Sequence, residues 1–181
     1  ARPVLSPAGG IVSSGQEISL TAVGGVPWHT TDRSDPRLAG GTVSPAASST
    51  GLHTITADTR LTARNRVSAT RWSAPASAIY VTSAVPATAS NLTFSEIHYH
   101  PAPPDASELA AGFTDAGDFE FVELLNAGPD KICLAGLRLV KTGAGQGIDY
   151  SFDGGTQWSL APGARLLLVR NAPAFTLRYG P

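Results

Sequence analysis

The stretch EISLTAV (Glu17–Val23) sets Ile18, Leu20 and Ala22 against polar neighbours, a period of two. Successive side chains of a β-strand point to opposite faces, so this alternation predicts a strand with one apolar and one wet face. Outward from it the signal repeats. VPWHTT, LHTITA, RLTARNRV and SAIYVTS are short runs rich in β-branched or aromatic residues. SPAGG, DRSDPRLAGG and VSPAASSTG separate them, supplying the Gly, Pro, Asp and Ser that favour turns. A period of 3.6 is sustained nowhere in this half. Many short strands at such spacing predict an all-β sandwich.

SAVPATAS (Ser83–Ser90) is small, uncharged and broken by a proline, the composition of an exposed linker. It divides the chain into a module over residues 1–83, a linker over 84–90 and a second module over 91–181. The second module brings NLTFSEIHYH (Asn91–His100), a long loop, then FEFVELLN (Phe119–Asn126), LAGLRLVK, IDYSF and ARLLLV (Ala164–Val169). APAFTLRYG, near the end, has helical character.

Composition narrows the function. Thirteen basic and fourteen acidic residues leave a net charge of −1, which argues against nucleic acid as a partner, since that needs a concentrated basic surface. No apolar run is long enough to cross a bilayer as a helix, so no membrane insertion is expected. The one cysteine, Cys133 between Ile132 and Leu134, cannot form an internal disulfide and reads as a buried small hydrophobe. A chain without methionine that starts at Ala1 reads as a piece of a longer polypeptide.

WHTTDRSDPRLAGGTVSP (Trp28–Pro45) and RLTARNRVSATRWSAPASAIYV (Arg60–Val81) resemble the chitobiase/β-hexosaminidase C-terminal type of immunoglobulin-like module. Arg33 stands where that family usually has Gly, and a side chain with a Cβ resists positive φ, so the turn is expected to differ locally. SEIHYHP (Ser95–Pro101), DFEFVELLNAGPDKICLAGLRL (Asp118–Leu139) and LAPGARLLLVRNAPAFTLRYG (Leu160–Gly180) resemble the bacterial lamin-tail domain, with Leu137 where a tryptophan is usual. The two resemblances imply two immunoglobulin-like β-sandwich modules in tandem, the second lacking its late strands. They also imply non-catalytic accessory modules of a large secreted or surface-attached bacterial protein. Its partners would be other domains of the same polypeptide, or a cell-surface glycan or protein.

Several residues compete with that reading. Glu96, His98 and His100 alternate on a presumed strand, where same-face neighbours stand roughly 6.6 Å apart. Both histidines could lean onto one ion, with Asp115, Asp118 or Glu120 completing the set, but no metal motif is present. The favoured reading is polar decoration, with no cofactor and no bound metal. Asp118 and Glu120 share a strand face while Glu123 takes the other, which reads as ordinary alternation and gives no catalytic residue. Asp32, Ser34 and Asp35 could offer oxygens to calcium, but a self-satisfied turn is favoured. TGAGQG (Thr142–Gly147) lacks the Lys-Ser/Thr of a phosphate loop and reads as a connection. Trp28 and Trp72 are expected in the core. Trp158, between turns, is the candidate for stacking on a glycan, the basis of an alternative carbohydrate-binding role.

Overall fold

Short apolar alternations become two small facing sheets in the computed structural model, which describes residues 1–145 and 147–180. By its contacts the chain forms two units, Ala1–Pro86 with Cys133–Ser159, and Ala87–Ile132 with Leu160–Pro181.

In the first unit, β1 (Val4–Ser6), β3 (Gln16–Thr21) and β5 (Leu52–Ile55) form an antiparallel sheet in the order β1-β3-β5. The other sheet holds β2 (Gly10–Val12), β4 (Val26–Thr30), β6 (Thr59–Arg66) and β7 (Ala76–Thr82) in the order β2-β7-β6-β4. Its pairs are antiparallel except β2 with β7, which run parallel. The opening segment thus gives β1 to one sheet and β2 to the other, and both sheets feed one core. Leu5, Ile18, Leu20 and Ile55 come from the first, and Val12, Leu61, Ala63, Ala78 and Tyr80 from the second. This is the immunoglobulin-like sandwich. Burying each large aliphatic contributes roughly 1.5–3 kcal/mol, so the alternation at Ile18 and Leu20 also adds cohesion to this core. Tyr80 is fully buried with its hydroxyl donating to Pro7 O at 2.7 Å, and burial pushes its pKa up to about 12.

The rest of this unit comes from far along the chain. Strands β8 (Val85–Pro86), β11 (Ile132–Cys133) and β14 (Ser159–Leu160) lie where the chain leaves one unit for the other. Between the last two, β12 (Arg138–Leu139) and β13 (Tyr150–Ser151) pair antiparallel. Arg60 Nη1 donates to Asp153 O at 2.5 Å, Ser159 Oγ donates to Asp58 Oδ2 at 2.5 Å, and Cys133 and Trp158 pack on Val81. Composition marks one division, at 84–90. The contacts change unit there and twice more, because long-range hydrogen bonds leave no trace in local composition.

In the second unit, β9 (Leu92–His98), β10 (Phe121–Asn126) and β15 (Arg165–Val169) form an antiparallel sheet in the order β15-β10-β9. Val122, Leu124 and Asn126 point to the buried face of β10. Asn126 is fully buried, and its amide is satisfied by Asp130 O, Leu160 O and Gly128 N at 2.8–2.9 Å. Helix α1 (Ala106–Ala110) starts with a capping box of Asp105 and Glu108. Helix α2 (Ala172–Tyr179) is capped by Asn171 and ends at Gly180, φ 90°. The two helices are joined by the Arg178 guanidinium, which grips Glu108 at 2.6 and 2.7 Å and lies over the Phe119 ring at 3.3 Å. That grip holds the Glu108 carboxyl below its ordinary range and raises Arg178 further.

Candidate functional site

The SEIHYHP histidines do not converge. β9 ends at His98, so the strand geometry that would align His100 with it stops two residues too soon. The His98 ring stacks on Phe121 with centroids 5.1 Å apart and meets Tyr179 edge-on at 6.0 Å, placing it in the aromatic contacts of α2. His100 is exposed beside Tyr99. Glu96 stands opposite Glu123, next to a β-bulge.

The acidic candidates are taken up by the fold. Asp118 and Glu120 do not share a strand face: Asp118 lies in a single 3-10 turn (Ala116–Phe119), Glu120 caps it, and β10 starts after them. The reason is local, since the Asp115 carboxylate accepts from Gly117 N at 2.9 Å and closes the turn. Arg170 reaches Asp115 at 3.2 Å and Glu120 at 3.3 Å, and Asn171 Nδ2 donates to Asp118 Oδ1 at 3.3 Å. A Cβ at Gly117 would stand 2.0 Å from Arg170 Nη1, so a larger residue there would displace the Arg170 guanidinium. Glu123 pairs with Arg165 at 2.9 Å and accepts from Ser95 Oγ at 2.5 Å.

In DRSDP, Asp32 Oδ1 accepts from both the amide and the hydroxyl of Ser34, which holds its carboxyl below the usual range. Asp35 is gripped by Arg64 through two 2.7 Å bonds and is also held low. Arg33 has φ 71°, a left-handed conformation that a residue with a Cβ rarely adopts. Thr142–Gly145 closes a turn with Gly145 N on Thr142 O at 2.8 Å, while Gln146 of TGAGQG lies outside the described residues.

The tryptophans exchange roles. Trp158 is only 7% exposed, packed with Val81 and Cys133, and so presents no face to a glycan. Trp28 registers opposite Arg64, not opposite core-facing Ala63, and is half-buried beside an open cleft with Arg66, Ser49 and Ser68. Trp72 is half-buried too, its indole N–H donating to Gly41 O at 2.8 Å beneath Arg66.

A second histidine pair converges in the first unit. His29 on β4 registers with Ala63, and His53 on β5 registers with Ile18, so both side chains point inward from facing sheets. His29 Nε2 lies 3.2 Å from His53 Nδ1, with ring centroids 5.0 Å apart and planes at 70°. His29 is 2% exposed, and its Nδ1 has no hydrogen-bond partner among the described residues. Burial, and then the neighbouring His53, lower its pKa to about 4; burial lowers that of His53. The rings border a cavity of about 280 Å³ lined mainly by threonine and serine residues, with Ala46 and Leu52. Among the described residues no group of three or more His, Cys, Asp or Glu side chains could hold a metal ion.

Residues 85–177, just over half of the chain, match the model of the lamin tail domain family. The chain belongs to the lamin tail domain family. No curated protein and no solved structure matches it. Lamin tail domains are immunoglobulin-like and non-catalytic, and the matched span contains every residue of the His98, His100, Asp115, Asp118 and Glu120 set. The sequence conceals two features. The Glu108–Arg178 pair joins residues 70 apart, and only D-x-x-E at Asp105, a capping-box signature, marks its acidic end. The His29–His53 pair lies upstream of the lamin tail domain. Its one sequence signal is that His53 shares a period-two face with Ile55.

Proposed function

We propose that the chain is a non-catalytic structural and adhesive module of a larger, secreted or surface-attached bacterial polypeptide, docking a neighbouring domain of that polypeptide. The observation that carries this is the outer strand of the second unit. β9 ends the sheet, and Phe94, Ile97 and Tyr99 on and just after it are 49%, 58% and 76% exposed. Large apolar side chains on an open sheet edge cost solubility and favour association. Acidic groups that might have done chemistry are instead engaged in holding Arg170, Asn171 and Arg165. Residues 1–83 read as the chitobiase-type module on the residues Trp28–Pro45 and Arg60–Val81.

The test is a binding assay between the purified chain and the domains that flank it in the polypeptide. Phe94→Lys with Ile97→Lys should abolish binding while leaving the fold intact by circular dichroism. Undiminished binding by the folded double variant would sink the reading. A carbohydrate-binding role now rests on Trp28 in its open cleft. On a glycan array Trp28→Ala should remove any signal, and a signal insensitive to it rejects that role.

A further inference from the structure

We propose that His29 and His53 form a two-imidazole binding site for a divalent transition-metal ion of the zinc or copper class, held between the two sheets of the first unit. The geometry distinguishes convergence from simple contact. With zinc–nitrogen bonds of about 2.0–2.1 Å, nitrogens 3.2 Å apart subtend roughly 100–106° at the metal, close to tetrahedral. Adding about 1.15 Å from each nitrogen to its ring centre, rings converging on one ion have centroids about 5.0 Å apart, against about 5.5 Å for a collinear N–H···N bond. The centroids here are 5.0 Å apart. That spacing matches two rings sharing one ion.

The surroundings fit the same ligand. His29 is buried, and its contact with His53 uses Nε2, leaving Nδ1 without a partner among the described residues. A metal ion on Nε2 would fix the Nδ1–H tautomer of His29. The adjoining cavity, lined by Thr30, Ser48, Thr50 and Thr54 among others, leaves room for water or a small oxygen ligand on the remaining positions. Imidazole donors select transition metals over calcium and magnesium, and copper(II) should bind more tightly than zinc. Two protein ligands make the ion exchangeable.

The experiment titrates zinc chloride into the full chain at pH 7, read by calorimetry and by the imidazole signals in NMR. One ion per chain should bind, shifting the His29 and His53 signals and leaving those of His98 and His100 in place. His53→Gln, on the more accessible partner, should weaken zinc binding at least tenfold while the melting curve remains cooperative. His98→Ala with His100→Ala should bind as the unaltered chain does. Absence of saturable binding, shifts confined to His98 and His100, or unchanged affinity in folded His53→Gln would each overturn the proposal. Calcium chloride, titrated in parallel, should leave the His29 and His53 signals unmoved; equal shifts would overturn the imidazole selectivity.

Discussion

Two histidine pairs sit in this molecule, and the one that looks like a site in the sequence is not the one that converges. His98 and His100 are two residues apart, yet β9 stops between them and the His98 ring is occupied by Phe121 and Tyr179. His29 and His53 are 24 residues apart, on different strands of different sheets, and their nitrogens come within 3.2 Å. Local spacing fixes direction only while the strand continues. Convergence between sheets depends on register, and register is set by the core residues that each histidine stands beside.

The largest expected effect breaks or confirms that contrast directly. His29→Ala opens a cavity between the sheets and removes the partner of His53, and should cost about 2–3 kcal/mol in urea unfolding. A loss no greater than that of an exposed substitution would show that His29 is not a core residue.

Next in size is a pH effect in chelator-treated protein. The folded pKa of His29 is about 4, against about 6.5 in the unfolded chain. Between those values the unfolded chain holds a proton that the folded chain lacks. Stability is therefore full above about pH 6.5 and is lost as pH falls toward 4, by on the order of 3 kcal/mol at most and less where water enters the cavity. His53 acts in the same direction, and the cavity residues near the pair bring no charged side chain of their own. Urea unfolding of the chain and of His29→Ala across pH 4.5–7.5 isolates the contribution by difference. Equal slopes would refute it.

These two tests also mark what the sequence made legible. The alternation at Ile18 and Leu20 gave the sheets, because burial against a facing sheet follows period two directly. Turn chemistry at Asp32, Ser34 and Asp35 was equally local, and so was readable. At Asp118 and Glu120 the same period misled, since the carboxylate of Asp115 closes a turn before β10 begins. Trp158 looked exposed between its turns but is packed against Val81, 77 positions earlier. Arg178 reaches Glu108 by a similar long-range path. Interactions set by tertiary register are written in no short window.

A smaller effect concerns the other pair. His98→Ala removes a stacked ring from Phe121 and should cost about 1 kcal/mol, the scale of one aromatic contact. Its effect should fall in Phe121→Leu, where the stacking partner is gone. A double-mutant cycle reads the coupling, and a value near zero would mean that His98 is decoration after all.

The smallest effect belongs to His100. It lies past the end of β9, exposed, with only the tilted ring of Tyr99 beside it at 6.4 Å. Exposed substitutions of this kind change stability by under about 0.5 kcal/mol. For His100 to share an ion with His98, either β9 would extend two residues or the His98 ring would leave Phe121, and each step disrupts contacts that the fold now makes. His100→Ala should therefore melt with the unaltered chain and bind zinc with the same affinity. A loss above 1 kcal/mol, or a tenfold weaker zinc affinity, would show that the two neighbouring histidines do act together and would reverse the contrast between the pairs.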